Sequence, residues 1–435
     1  LAQEWERVTV AATKVLNHGV YRGEWELVEM CVVHAAHLRA SRRVPPDARA
    51  DGPRAELAHS LSNGVGLLGR RQEAAELAHE SVELRRPLAK AQPETHEIRL
   101  AETLNSLSNR LADLRRSEEA LRVAEEAVSV YRRLSNTRPE AGEGDLAMVL
   151  NNLASHLRNV RRHEEALVVA KEGVEACQRA ARAQPEVFEP LLAMSLANLS
   201  THLGELGRHE EGLELVRRAM ELQRRLARAR PAEFQPQLAR SMNTLSRRLY
   251  GLGRHEEALE AAQQAAKVYG QLAKALPAAY EPDLAMALHN LSERLSKLGR
   301  RTEALQLMQQ AVQLRRRHAK EQPQAFEESL ASSLRGLAIL LGELGQKEQA
   351  IQAAEEAVQL YRKNPSALEA AQATLRQLRH SEPPAPVDIP PPHPLADPEK
   401  AYRANLEYQQ ALREWEKLSW WQRRRRRRPL PPSQT

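Results

Sequence analysis

The chain has 435 residues, 28% of them charged and only 4% aromatic, and that length exceeds what one compact hydrophobic core keeps growing to serve. Its formal net charge is +7, but residues 397–435 hold ten Lys or Arg against five Asp or Glu, a net +5 that leaves +2 for the rest; the basic balance belongs to the end of the chain, which argues against a folded nucleic-acid-binding patch. Cys31 and Cys177 suggest no disulfide framework, no secretory signal opens the chain, and no apolar run reaches the ~18 residues of a membrane helix, so the expected setting is reducing and cytoplasmic.

Residues 1–46 carry two helical patterns, Trp5, Val8, Ala12 and Val15 on one and Trp25, Val28, Val32 and Ala35 on the other, separated near Gly19. They fit the pattern that follows poorly and read as an N-terminal capping hairpin. The chain opens on Leu1 rather than Met; if it is a piece of a longer protein, this hairpin is instead the junction to an upstream domain.

From residue 47 to 380 one unit recurs every 46 residues. Pro93, Pro139, Pro185, Pro231, Pro277 and Pro323 stand at one of its positions, and Leu107, Leu153, Leu199, Leu245, Leu291 and Leu337 at another. Within a unit Leu192, Leu196, Leu199, Leu203 and Leu206 step by 4, 3, 4 and 3, which predicts an amphipathic helix ended by Gly207. Leu213, Val216, Ala219 and Met220 predict a second helix, running on through charged residues to the next proline. One such hairpin cannot bury both stripes, but stacked hairpins can. Seven units are expected, their first helices beginning near Arg54, Leu100, Leu146, Leu192, Leu238, Leu284 and Leu330. Small residues at Ala127, Gly173, Ala219, Ala265, Ala311 and Ala357 suit close helix approach. Phe188, Phe234 and Phe326 share one position, where a loop linking successive hairpins is expected to cover them.

Leu199-Ser200, Leu203, Gly207, Gly212, Val216, Ala219 and Pro231, with the recurring Gly-Arg-His-Glu-Glu-(Gly/Ala)-Leu turn, resemble the tetratricopeptide repeat (TPR) over residues 54–365. The unit is 46 residues rather than the family's usual 34, and the excess is expected in a longer second helix and loop. This long form is similar to kinesin-light-chain-type arrays and to bacterial arrays attached to signalling ATPase or caspase-like domains. The resemblance implies an all-α, right-handed superhelix that acts as a non-enzymatic interaction scaffold, its first helices lining a concave groove for a peptide or partner helix. Mapped onto this chain, the groove positions are Asn105, Asn151, Asn243, His289 and Arg335; Asn152, Asn198 and Asn290; and Asn109, Ser155, Thr201, Arg247 and Glu293. An asparagine amide both donates to and accepts from a peptide backbone. A ladder of asparagines bonded only to one another is the other reading of the pattern. The alternative function is the sensor or autoinhibitory part of a larger bacterial signalling protein with an NTPase or protease domain upstream.

The residues offer little catalytic chemistry. His163, His209 and His255 recur because the unit recurs and suit packing at the turn rather than metal binding, since no second ligand stands at a suitable spacing. No phosphate-binding Gly-x-x-x-x-Gly-Lys-(Ser/Thr) loop and no nucleophile turn occurs. Neither a metal nor a cofactor is expected.

Ser366 to Leu378 reads as a closing helix, and residues 381–398 as a Pro-rich linker, with 8 prolines among the 16 residues from Pro383 to Pro398. Residues 399–422 then form an expected amphipathic helix with Ala404, Tyr408, Ala411, Trp415 and Leu418 as its stripe, and 423–435 a basic tail. Trp415, Trp420 and Trp421 run into Arg423, Arg424, Arg425 and three further arginines. A solvated end, an anionic membrane surface, or contact with a protein or nucleic acid are the readings of that segment.

Overall fold

The computed structural model describes residues 48–380, apart from 68, 69 and 138. The N-terminal hairpin, the Pro-rich linker and the C-terminal helix and tail, with Trp415, Trp420, Trp421, Arg423, Arg424 and Arg425, lie outside the described residues.

All regular structure among the described residues is helical. The helices are α1 (Ala48–Leu67), α2 (Arg71–Ala91), α3 (Pro93–Asp113), α4 (Ser117–Thr137), α5 (Pro139–Asn159), α6 (His163–Ala183), α7 (Pro185–Glu205) and α8 (His209–Ala229). They continue as α9 (Pro231–Gly251), α10 (His255–Ala275), α11 (Pro277–Lys297), α12 (Arg301–Glu321), α13 (Pro323–Glu343), α14 (Lys347–Leu360) and α15 (Pro365–His380), with one 3-10 turn at Tyr361–Lys363. Odd-numbered helices are the first helices of seven hairpins, even-numbered ones the second, and α15 closes the array.

The period has a simple anatomy. In the unit from Pro185, a 21-residue α7 is followed by a three-residue turn, a 21-residue α8 and the single residue Arg230 before the next proline. The expected long linking loop is therefore absent, and the first helices start seven residues earlier than the leucine stripe suggested. The repeated prolines stand at the first helical position, where the missing N–H costs nothing and φ is already helical. The extra length of the unit lies in both helices, not in a longer second helix and loop. The phenylalanines accordingly sit in the first turn of a helix: Phe234 is fully buried under Arg230, whose guanidinium lies 4.8 Å from the ring centroid.

The turns need a left-handed residue, and Gly207, Gly253, Gly299 and Gly345 supply it with φ of 72 to 78°. Arg115 and Arg161 occupy the same conformation at φ 60 and 64°, which costs a residue with a Cβ about 1 kcal/mol. Just before each second helix except α14 stands an arginine that grips the glutamate three residues on, as Arg208 Nε and Nη2 do with Glu211, both at 2.6 Å. The carboxylates in that first turn also face the positive end of the helix dipole.

Apolar clusters bridge adjacent hairpins instead of filling one. Leu196, Leu199 and Leu203 of α7 meet Leu167, Ala170 and Val174 of α6 and Ala219 of α8, and burying each leucine contributes roughly 1.5–3 kcal/mol. The small residues Ala127, Ala219, Ala265, Ala311 and Ala357 are all 0% exposed. A Cβ added at the equivalent Gly173 would stand 3.3 Å from Leu150 Cβ. Salt bridges tie the two helices within several units, Arg179 to Glu143 at 2.6 Å and Arg225 to Glu189 at 2.5 Å among them; exposed pairs of this kind are worth under about 1 kcal/mol each. The array also curves round on itself, because Arg115 of the second unit pairs with Glu328 of the seventh.

Candidate functional site

Each helix packs chiefly on its sequence neighbours, but successive first helices also touch one another, and no two second helices are packed as closely among the described residues. Polar bonds mark this first-helix contact. Asn152 Nδ2 donates to Asn105 Oδ1 at 2.9 Å, His289 Nδ1 lies 3.0 Å from Ser333 Oγ, and Arg247 Nη2 stands 3.4 Å from Glu205 Oε1.

The asparagines expected on this face divide into two groups. Asn105, Asn109, Asn152, Asn198 and Asn290 are half-buried and reach the surface, as do His289 and Arg335, while Arg247 is exposed. Asn151 and Asn243 face inward, 2% and 4% exposed. Asn151 donates to Ala147 O at 3.0 Å and to Ser195 Oγ at 2.6 Å, and so joins one hairpin to the next. Neither amide atom of Asn243 has a hydrogen-bond partner among the described residues. The register explains the split: residues 151 and 152 are about 100° apart around a helix, so one faces the neighbouring unit when the other faces out.

Methionines accompany the outward row. Met148 and Met194 are 41% and 38% exposed and Met286 is half-buried, each one helical turn before Asn152, Asn198 and Asn290. Their shared register, 46 and then 92 residues apart with Arg240 at the position between, was available in the sequence, but the leucine stripe drew the reading inward. A flexible thioether beside an amide offers an adaptable apolar contact with a hydrogen-bonding group next to it.

One residue after the column of Asn109, Ser155, Thr201, Arg247 and Glu293 falls a column of Arg110, His156, His202, Arg248 and Arg294. His156, His202, Arg248 and Arg294 are 2–5% exposed. Burial pushes both histidines down to about 4, so they are neutral at pH 7. Burial likewise pulls the Arg248 guanidinium down to about 10, with Arg247 adding to the effect. Room for Arg248 comes from missing side chains, since a Cβ on Gly212 would meet Arg248 Cδ at 3.0 Å. Arg294 lies over the Tyr250 ring, 3.9 Å from its centroid. Burial pulls its guanidinium down as well. At Glu293 burial would raise the carboxyl, but the hydrogen bond and charge of His289 with Arg294 and Arg335 outweigh it and hold the group low. Sequence reasoning missed this column because a charge on a helix reads as a solvated face.

His163, His209 and His255 stand at the first position of α6, α8 and α10, and His209 packs where a Cβ on Gly251 would meet its Nε2 at 2.5 Å. Among the described residues no group of three His, Cys, Asp or Glu is placed to hold a metal ion. No described helix is long and apolar enough to cross a membrane.

Family models described as tetratricopeptide repeat match residues 191–271, and 100–139, 284–323 and 330–364. No curated protein matches the sequence. Among solved structures, the apo form of RapI aligns at TM-score 0.52 and 14% identity, covering 72% of this chain and 99% of that one. A Rap protein complexed with Competence and Sporulation Factor aligns at TM-score 0.50 and 11% identity, covering 85% and 97%. A signal transduction ATPase with numerous domains that carries a tetratricopeptide repeat sensor, from Pyrococcus horikoshii, aligns at TM-score 0.48 and 16% identity, covering 85% and 52%. At these identities the likeness to the two Rap structures shows the fold alone.

Proposed function

The chain is a tetratricopeptide repeat protein, and on that premise we propose that it is a non-enzymatic scaffold that holds a peptide or partner helix in a concave groove lined by its first helices. The observation that carries the reading is the outward row of Met148 with Asn152, Met194 with Asn198 and Met286 with Asn290. It recurs at the register of the units, in those beginning at Pro139, Pro185 and Pro277, with Arg240 and Thr244 at the same places in the unit between the last two, so a partner lying across the array would meet the same pair of groups in three of its units. The closer packing of first helices than of second helices supports taking this face as the inner side of the curve. Asn105, Asn109, His289, Arg247 and Arg335 extend the row along the same face. Asn151 and Asn243 support it from within. A fold-level neighbour solved with Competence and Sporulation Factor is consistent with ligand capture by such an array, though that likeness is one of fold alone. For the C-terminal segment, the contact proposed is with an anionic membrane surface through Trp415, Trp420, Trp421 and Arg423 to Arg425.

The test is capture of partners by the full chain and by a variant carrying Met148→Ala, Asn152→Ala, Met194→Ala and Asn198→Ala. These side chains reach the surface, so the melting curve should shift little while capture is lost. A variant that retains every partner places the contact elsewhere.

A further inference from the structure

The first-helix face carries a cleft of about 820 Å³ whose lining includes Arg247, Arg248, Arg294, Lys297 and Arg301. Three of these cations have a carboxylate. Arg247 pairs with Glu205 at 3.4 Å, Arg294 with Glu293 at 3.6 Å and Arg301 with Glu343 at 2.9 Å. Arg248 and Lys297 have none within ion-pair distance among the described residues. Arg248 is 2% exposed, its Nη1 donates to Ser200 O at 3.2 Å, and its Nε has no partner among the described residues. Among the same residues Arg294 Nε is unpartnered as well. A buried cation without a counter-charge is costly, and an anion bound beside it recovers part of that cost. Two uncompensated positive charges in one cleft match a doubly charged anion. The guanidinium fork fits the oxygens of a phosphate, and the cleft leaves room for whatever the phosphate is attached to.

We propose that this cleft binds a phosphate monoester dianion, with Arg248 and Lys297 supplying the compensating charge. The group is the same on a phosphorylated small molecule and on a phosphorylated side chain. The proposal does not depend on a peptide occupying the groove.

The test is titration calorimetry of the full chain with phenyl phosphate at pH 7.5 and fixed ionic strength, against phenyl sulfate, a monoanion of like shape. Saturable binding is expected, at least about tenfold tighter for the phosphate and weakening toward pH 5 as the ester gains a proton near pH 6. Arg248→Met should weaken it at least about tenfold. Lys297→Gln, at the exposed end of α11, should weaken it severalfold without disturbing the fold. N-acetylphosphoserine amide binding about tenfold tighter than inorganic phosphate would assign the source to a side chain, and equal binding to a small phosphorylated molecule. Absence of saturable binding, equal affinity for the sulfate, or wild-type affinity in Lys297→Gln overturns the proposal. No protein partner is present in this titration, so its outcome is separate from that of the capture experiment.

Discussion

Gly204 and Arg248 occupy one space: a Cβ on Gly204 would stand 0.8 Å from Arg248 Nη1. Gly204 lies inside α7 with no left-handed turn to make, so its glycine serves the neighbouring unit's guanidinium and not its own backbone. Gly66 does the same for Arg110, whose Nη1 would lie 2.5 Å from an added Cβ.

Gly204→Ala is therefore expected to destabilise the array by about 1–3 kcal/mol through overpacking, although alanine is the better helix former by ~1 kcal/mol. Arg248→Ala in the same chain should recover most of that loss. Chemical denaturation of the two single variants and the double variant measures the coupling, and a stabilised Gly204→Ala would show that the two residues do not compete.

Ala265 is 0% exposed and packs with Val216, Met220 and Met242. Ala265→Leu should cost about 1–3 kcal/mol by overpacking. The same change at exposed Gln264 should be within about 0.5 kcal/mol of neutral. Equal melting temperatures for the two variants would contradict this packing.

Stability should fall as pH drops from about 6.5 toward 4. His156 and His202 are buried with folded values near 4, below the ordinary 6.5, so between those limits the unfolded chain binds protons that the folded one excludes. The stabilisation is whole above about 6.5 and is lost as pH falls through that window, by up to roughly 3 kcal/mol for each histidine. Replacing both by Gln should flatten the dependence of Tm on pH between 6.5 and 4, and an unchanged slope would assign the acid sensitivity to other groups.

A peptide of residues 397–435 should bind anionic vesicles with a blue shift in tryptophan emission, because indoles favour the interface and each nearby Lys or Arg adds ~1 kcal/mol of attraction. Added salt should weaken the binding, and so should Trp420→Ala with Trp421→Ala. Unshifted emission on anionic vesicles at low salt would exclude the membrane contact.

The repeat and its helical hairpins were legible in the sequence because one period of 46 residues carries both the leucine stripe and the turn glycines. The starts of the first helices were not, since a repeated proline reads equally as a linker and as a first helical residue; a single-residue link such as Arg230 leaves only the second meaning. The outward and inward asparagines could not be separated either. Asn151 and Asn152 are adjacent in sequence, and only the position of Ser195 in the next hairpin decides which is buried. The burial of Arg248 was hidden for a related reason, because the space for it is made by Gly204 and Gly212 of the preceding hairpin.

Partner contact at the first helices is tested most directly by hydrogen–deuterium exchange of the full chain with and without its captured partner. Slowed exchange is predicted in α5, α7, α9 and α11, around Asn152, Asn198 and Asn290, with the second helices α6, α8, α10 and α12 unchanged. Protection confined to the second helices, or to residues 397–435, would contradict it.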